Sequence, residues 1–494
     1  ISTVNPNMAK DIRIHKGGYD ATIGERVGGI VDISGIEGNK KKTAANLTLN
    51  NMTMNALVEV PLSRKLALVG AYRQTYYDLY SPIDVAPIER SATHFSENAI
   101  VVNPNYIFRD GNLKFSGLSN NSDSYHISTF WGQDHFSYAL NQEHNSSTII
   151  QNLDEKNRQF GARANYNKIW KGKGSSNLTI SYSALQRDAI DQQSSALSGS
   201  GSGGGMGSGG MGSGGSGDGM GMREKELHSQ NDISELKMMI TGVHRLFKKH
   251  QLEYGSGLIH NSSYLQELTV STTLIDFKEQ GSQWVNYLQD RFSPNKYFNL
   301  RFGLHHNYAQ NIKKSYFQPR LSISFLPSDK FRLNASWGLY NQFIVHNLIL
   351  DENNNYRYQW RLSNGDDIPV LESEHFVLGG VYNNKGFTLG VESYYKKTDG
   401  ITRQLASEAN PILYKGNSKA KGVDLFIKQE FKGHSIWLSY SLSETLEWFS
   451  FFESDKYERA IHDQRHEFKI AGILNLSPFY FSGNFVWGSG CPNS

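Results

Sequence analysis

Five side chains suited to ligand binding lie close together between residues 341 and 374, in a segment that separates two strongly patterned stretches. They are His346, Tyr356, Tyr358, Trp360 and Arg361. Aromatic rings can stack on a planar ligand, and an arginine can pair with an anion. The sequence therefore predicts a site for an aromatic, anionic ligand. The alternative is that these aromatic residues only belong to a ring of side chains at a membrane interface.

Other residues that could support catalysis or metal binding are weaker candidates. His462 and His466 are four residues apart, but on a strand that spacing separates them by ~13 Å, too far for one ion. The four methionines of residues 198–222 could bind Cu(I), yet they are irregularly spaced and no Cys or His accompanies them. No nucleophile elbow, His-Glu-x-x-His or phosphate loop occurs. We therefore expect neither an enzyme nor a bound cofactor or metal.

The elements that position these residues are predicted by alternation of apolar and polar side chains. Phe331, Leu333 and Trp337, for example, alternate with Arg332, Asn334 and Ser336; the first three are expected to face lipid and the other three the lumen. A period of two is typical of a strand with one apolar and one polar face. Strands of roughly 9–11 residues with these two faces suit a transmembrane barrel, which meets lipid outside and a hydrated lumen inside. The pattern predicts an all-β membrane protein with a large antiparallel β-barrel.

Composition agrees with that class. Only 38% of the 494 residues are hydrophobic, and no apolar run approaches the ~18 residues of a membrane helix. A barrel strand needs less, because lipid meets only every second residue. The net charge of +3 gives no argument for a nucleic-acid partner. The single cysteine, Cys491, excludes an internal disulfide.

About nineteen strands follow residue 43, joined alternately by short and long connections. The short ones, such as 383–386 and 432–434, are rich in turn residues. Short turns at one end and long loops at the other are typical of outer-membrane barrels, whereas a soluble sandwich has no reason for this asymmetry. Residues 198–222, rich in Gly, Ser and Met, are expected to be a flexible extracellular loop. Since bacterial barrels have even strand numbers, the odd count predicts further strands after Ser494.

Residues 10–33 depart from the barrel pattern. Residues 12–14 are predicted to be a short strand and residues 27–33 a second, buried strand. Gly17, Gly18 and Gly24 mark turns where positive φ or close backbone approach is needed. Such a glycine-rich segment suits a small insert packed against a barrel wall.

This segment resembles the end of the plug domain of TonB-dependent outer-membrane receptors. It departs from that family at Ile23, which stands before Gly24 where an aromatic residue is usual. Later stretches are similar to the last barrel strands of the same receptors: 373–380, 391–401, 416–424, 462–466 and 487–490. The resemblance covers essentially the whole chain.

The resemblance implies a 22-stranded barrel, of which about nineteen strands are present here, in the outer membrane of a Gram-negative bacterium. Residues 1–38 would be the C-terminal part of the plug and residues 39–494 a barrel incomplete at its C-terminus. A signal peptide, a TonB box and the first half of the plug are expected before Ile1. Glu25 and Arg26 are expected to contact the barrel, with Arg26 pairing with inward carboxylates rather than with a ligand.

Two functions are compatible with this resemblance. The first is import of a scarce, large ligand, with a ferric siderophore as the favoured class, powered through TonB and its inner-membrane energising complex. The second is a structural subunit of an outer-membrane assembly, export or nutrient-uptake complex, with a surface lipoprotein or other outer-membrane subunits as partners. A passive porin conflicts with the plug. Both functions imply outer-membrane lipid around the barrel.

Overall fold

The computed structural model describes residues 4–76, 100–119, 123–144, 147–171, 174–197, 223–270, 272–350, 356–405 and 412–492. The predicted flexible loop at 198–222 lies outside the described residues. Within these ranges the only helix is one 3-10 turn, Pro6–Met8. No helix there has the length and hydropathy needed to cross a membrane.

Strands make up most of the described chain. Their bounds are β1 Ala9–His15, β2 Ile30–Gly35, β3 Ala44–Leu49, β4 Thr53–Ser63, β5 Leu66–Thr75, β6 Ile100–Leu118, β7 Ser124–His144, β8 Ser147–Trp170, β9 Gly174–Leu197, β10 Arg223–Phe247, β11 His250–Thr269, β12 Thr273–Phe292, β13 Phe298–Ala309, β14 Lys314–Ser328, β15 Phe331–Gln342, β16 Ile344–Leu350, β17 Tyr356–Leu362, β18 Leu371–Asn384, β19 Phe387–Leu405, β20 Ile412–Phe431, β21 His434–Phe449, β22 Glu458–Arg459, β23 His466–Leu476 and β24 Phe479–Gly488.

The strands form one small sheet and one closed barrel. β1 and β2 pair only with each other, and β3 to β24 form the barrel. Within it β15 pairs directly with β18, and β21 with β23, so β16, β17 and β22 lie outside the continuous wall. That leaves nineteen wall strands among the described residues. The predictions of a large antiparallel barrel and of about nineteen strands are confirmed.

The short connections are tight hairpin turns at one end of the barrel. Lys385 and Gly386 have φ of 46° and 83°, and Lys432 and Gly433 have φ of 47° and 85°. Two successive residues with positive φ make the type I′ turn, whose twist matches that of antiparallel strands. Residues 450–465, the described long connection between β21 and β23, therefore lie at the opposite end.

One side of the barrel rises well beyond the thickness of a membrane. β8 has 24 residues and β10 has 25, whereas β13 has 12. Since about 9–11 residues span the apolar layer at ~3.3 Å each, the long strands extend roughly 40 Å further. The outer face of β8 is aromatic at Phe160, Tyr166 and Trp170 but charged from Arg158 to Asp154, where it carries ion pairs. The raised wall comprises β7 to β12, and beyond Phe160 the outer face of β8 carries the charged side chains expected in water.

The wall also has the predicted alternation of faces. Gly18 of the N-terminal segment lies so close to β15 that an added Cβ would be 2.0 Å from the Ser336 hydroxyl. Its φ of 63° independently favours glycine there. Ser336 thus points into the barrel, as predicted, while its neighbour Trp337 lines an outer groove with Phe376 and Leu378.

Candidate functional site

The N-terminal segment, residues 4–38, lies inside the barrel. Asn5 exchanges two hydrogen bonds with Asn55 of β4, at 3.1 and 2.8 Å. Asp20 pairs with Arg301 of β13 at 2.7 Å, and Lys16 pairs with Asp424 of β20. Because these wall strands lie on different sides of the barrel, the segment crosses the lumen.

The strands of this segment differ in part from their prediction. β2 begins at Ile30 rather than at residue 27. It is not buried, since Val31 is 58% exposed. The prediction of a buried strand is therefore wrong, because β2 pairs only with β1 and one face of this two-stranded sheet opens into the lumen.

Glu25 is the most deeply enclosed charge of the segment. Its φ of 58° turns the carboxylate into the wall. There it lies 3.2 Å from Lys237 Nζ on β10 and accepts hydrogen bonds at 3.1 Å from His305 and Asn307 on β13. Burial alone would raise the pKa of Glu25, but Lys237, His305 and Asn307 together hold it well below its usual range. The carboxylate is therefore a charged contact between the segment and the wall at physiological pH.

Arg26 makes a weaker contact with the wall. Its guanidinium lies 3.8 Å from Glu235 of β10, and its side chain is 44% exposed. It also donates a 2.7 Å hydrogen bond to the carbonyl of Glu25. Arg26 thus braces the turn at Glu25 and borders a cavity of about 530 Å³.

Sequence reasoning missed a second group of contacts, centred on Tyr19. Tyr340 of β15 donates a 2.8 Å hydrogen bond to the carbonyl of Tyr19, and the two rings are 4.6 Å apart. Arg320 of β14 stacks over the Tyr340 ring at 4.3 Å and donates to the carbonyl of Asp20 at 2.6 Å. The only signal in the sequence was that Arg320 occupies an inward-facing position of its strand.

A hairpin folded over the lumen contains the predicted ligand-binding residues. Residues 344–350 and 356–362, here called the strap, comprise β16 and β17. The region was predicted to be one long loop, so the hairpin within it is a correction. β16 runs parallel to the outer end of β19, with Leu348 opposite Arg403. On the other side β17 packs against β10, β11 and β12, so the strap crosses the barrel mouth.

Polar contacts hold the strap against the raised wall. Arg361 pairs with Glu279 of β12, which also accepts the Leu362 amide at 3.0 Å. Gln359 and Arg357 both reach Glu267 of β11, at 2.6 and 2.7 Å. The backbone of Trp360 is held separately: its amide donates to Asn231 at 2.6 Å, and its carbonyl accepts from Asn231 and Ser263 at 3.0 Å each.

The structure brings three of the five predicted ligand-binding residues together. The His346 ring stacks between Tyr358 and Trp360, with centroids 4.4 and 4.3 Å away. All three line a cavity of about 930 Å³ between the strap and the raised wall, here called the outer pocket. Arg361 is absent from its lining and faces Glu279 instead. Tyr356 begins β17, but its side chain lies outside the described part of the structure.

The outer pocket combines aromatic rings with balanced charges. Besides His346, Tyr358 and Trp360, its lining includes Arg357 of the strap and Tyr106, Asp134, Phe136, Glu155, Asn157, Gln159 and Arg187. Burial, and then the charge of Arg187, lower the pKa of His346 to about 4. His346 is therefore neutral at physiological pH. No group of three or more His, Cys, Asp or Glu in the described ranges is arranged to hold a metal ion.

Comparison with solved structures gives the fold a name. The alcaligin outer-membrane receptor FauA from Bordetella pertussis matches with a TM-score of 0.60 at 13% identity, over 98% of this chain and 75% of that chain. BauA, the ferric preacinetobactin receptor from Acinetobacter baumannii, matches with a TM-score of 0.62 at 10% identity, over 98% and 75%. The chain has the fold of the TonB-dependent outer-membrane receptors.

The same receptor fold serves different cargoes. The copper transporter OprC also matches, with a TM-score of 0.63 at 11% identity, over 98% of this chain and 73% of that chain. These similar proteins are receptors and transporters, not enzymes. No protein-family model and no curated protein matches the chain. The receptor fold alone therefore does not determine the ligand.

Proposed function

We propose that this chain is a TonB-dependent importer in the outer membrane of a Gram-negative bacterium. It would take up a scarce ligand too bulky for passive pores. Residues 1–38 would act as part of the plug, residues 39–494 as the barrel, and residues 198–222 as a flexible outer loop. The fold shared with known receptors supports this proposal.

The observation that carries the proposal is the set of buried polar contacts between the N-terminal segment and the wall. Leaving one partner of a buried ion pair uncompensated costs about 3–5 kcal/mol. The contacts of buried Glu25 with Lys237, His305 and Asn307 would have to break before the segment could move. The more exposed pair between Asp20 and Arg301 adds less. Thermal motion alone would open such a barrel rarely, so transport needs work. Coupling to the inner-membrane proton gradient through TonB supplies that work.

The proposed division of labour follows the geometry. Glu25 and Arg26 attach the plug segment to β10 and β13. His346, Tyr358 and Trp360 bind the ligand at the outer pocket. Arg361 anchors the strap, because its guanidinium is already paired with Glu279. A ferric siderophore is the ligand class expected from the sequence, and the charges of the outer pocket decide whether it fits.

Separate measurements of surface binding and of uptake test the proposal. Cells expressing the complete protein would be given a labelled ferric tris-catecholate or a labelled neutral oligosaccharide. We expect the bound ligand to be internalised in the parent strain, and surface binding without uptake in a strain lacking TonB. Undiminished uptake without TonB would contradict energised import. Co-purification of a surface lipoprotein without any uptake would favour the assembly-subunit function.

A further inference from the structure

We infer that the outer pocket accepts an uncharged, polyhydroxylated ligand, such as a linear oligosaccharide, rather than an anionic ferric siderophore. This inference rests on the proposed importer function and specifies its ligand class. Three features of the pocket support this inference: its arginines are already paired with carboxylates, the strap contributes aromatic side chains, and the raised wall contributes polar groups.

The cations of the outer pocket are already neutralised. Arg187 donates to Glu155 at 2.6 Å and to the carbonyl of Tyr358 at 2.9 Å, while Arg357 pairs with Glu267 at 2.7 Å. Asp134 adds a further negative charge to the lining, and neutral His346 adds no positive one. An anionic ligand would have to displace a carboxylate from an arginine, which leaves that carboxylate unpaired in a partly buried site.

The aromatic side chains of the strap offer an apolar surface against which sugar rings can pack. Tyr358 and Trp360 are two residues apart on β17, so both point into the pocket, with their Cβ atoms roughly 6–7 Å apart. His346 is stacked between the two rings and covers one face of each, so the pocket meets this aromatic stripe largely along the ring edges. The apolar C–H groups of a sugar ring pack against such a stripe, while its hydroxyls point sideways.

Polar groups lie opposite the stripe, on the raised wall. Asn157 of β8 donates to Asp134 at 2.9 Å and to Glu155 at 3.0 Å. Gln159, two residues further along β8, faces the same cavity. Carboxylates and amides in one row offer both acceptors and donors, as hydroxyl groups require. The volume of about 930 Å³ is at the upper end of the ~300–1,000 Å³ of small-molecule sites, which suits several linked rings better than one.

The test is direct binding of probes to the complete protein purified in detergent. A neutral-glycan array would be compared with titration of a ferric tris-catecholate complex. We expect selective binding of neutral glycans that changes little with salt, and no comparable binding of the catecholate. Tyr358→Ala and Trp360→Ala should each weaken glycan binding about tenfold, the loss of one aromatic contact. Trp448→Ala should not, because Trp448 lies outside the pocket and bonds to Ser454.

The variants are chosen so that the strap keeps its anchors. Trp360 is held by backbone hydrogen bonds, and Gln359 and Arg361 point away from the pocket, so the strap should persist after truncation of Trp360. The Glu155→Gln variant provides an independent test, since it leaves Arg187 without its carboxylate partner. We expect that variant to bind the ferric catecholate about tenfold more tightly than the wild type, in a salt-dependent manner.

The outcomes separate this inference from the proposed importer function. Tight, salt-sensitive binding of the ferric catecholate by the wild type would overturn the inference and leave energised import intact. The absence of any glycan ligand on the array would also overturn it. Binding of a glycan that is never internalised would support the inference while contradicting import.

Discussion

Removing the charge of Glu25 should loosen the plug segment from the barrel. The Glu25 side chain is only 7% exposed and that of His305 only 2%, whereas Lys237 is 30% exposed. Loss of one partner of a fully buried pair costs about 3–5 kcal/mol. Water can partly solvate Lys237, and the amide oxygen of Glu25→Gln can still accept from Asn307. We therefore expect Glu25→Gln to cost about 2–3 kcal/mol of attachment free energy.

Hydrogen–deuterium exchange of the complete protein in lipid nanodiscs measures this effect. A loss of about 2–3 kcal/mol makes amide exchange through local opening of the segment about 30- to 150-fold faster. Peptides covering residues 16–30 should show this acceleration. Asp11→Asn is the matched control: Asp11 pairs with Arg13 at 2.8 Å in the same segment, but the two side chains are 45% and 67% exposed. Such a pair contributes less than about 1 kcal/mol. Equal acceleration in both variants would refute the reasoning.

The pH dependence of this contact has a defined sign. The pKa of Glu25 is depressed in the folded protein, so its contribution is complete above the unfolded value of about 4.3 and is lost as pH falls through the folded value. Exchange at residues 16–30, corrected for the intrinsic rate, should therefore be constant from about pH 6 to about pH 8. Acceleration of the wild type below about pH 4 should be weaker in Glu25→Gln. Identical acid responses would show that another group controls attachment.

The remaining predictions concern the strap, the lipid face and the outer pocket. Glu279→Gln should free the strap and raise single-channel conductance in planar bilayers. The control Glu372→Gln breaks only an exposed 3.9 Å pair and should leave conductance unchanged. Unchanged conductance in both variants would mean that other contacts hold the strap. Leu333→Arg should lower the folding free energy in lipid by about 2–4 kcal/mol, because it puts a charge on the outer face. Asn334→Leu, on the inner face, should lower it much less. Similar losses in both variants would contradict the assigned register. His346 should titrate near pH 4 by NMR, and glycan affinity should be flat between about pH 5.5 and about pH 8. A midpoint near 6.5 would show that the ring is not desolvated.

The sequence was sufficient to predict the barrel and its alternation. In a strand, successive side chains point to opposite faces, so Ser336 and Trp337 could be assigned inside and outside from the sequence alone. The tight turns at Lys385 and Lys432 were equally local, because a two-residue hairpin loop needs only suitable residues at its centre. Both properties depend on neighbours in the chain, which the sequence displays.

The partners across the lumen were decided only by the tertiary structure. Glu25 meets Lys237 and His305, which are 212 and 280 residues away; alternation shows that such side chains face inward but not at which height or on which side. Trp360 and Arg361 were predicted to share one ligand site because both lie between residues 341 and 374. Once residues 356–362 form a strand, adjacent side chains diverge, so Trp360 faces the outer pocket and Arg361 faces Glu279. That strand exists because distant carboxylates of β11 and β12 hold it against the wall, which no local pattern in the sequence could reveal.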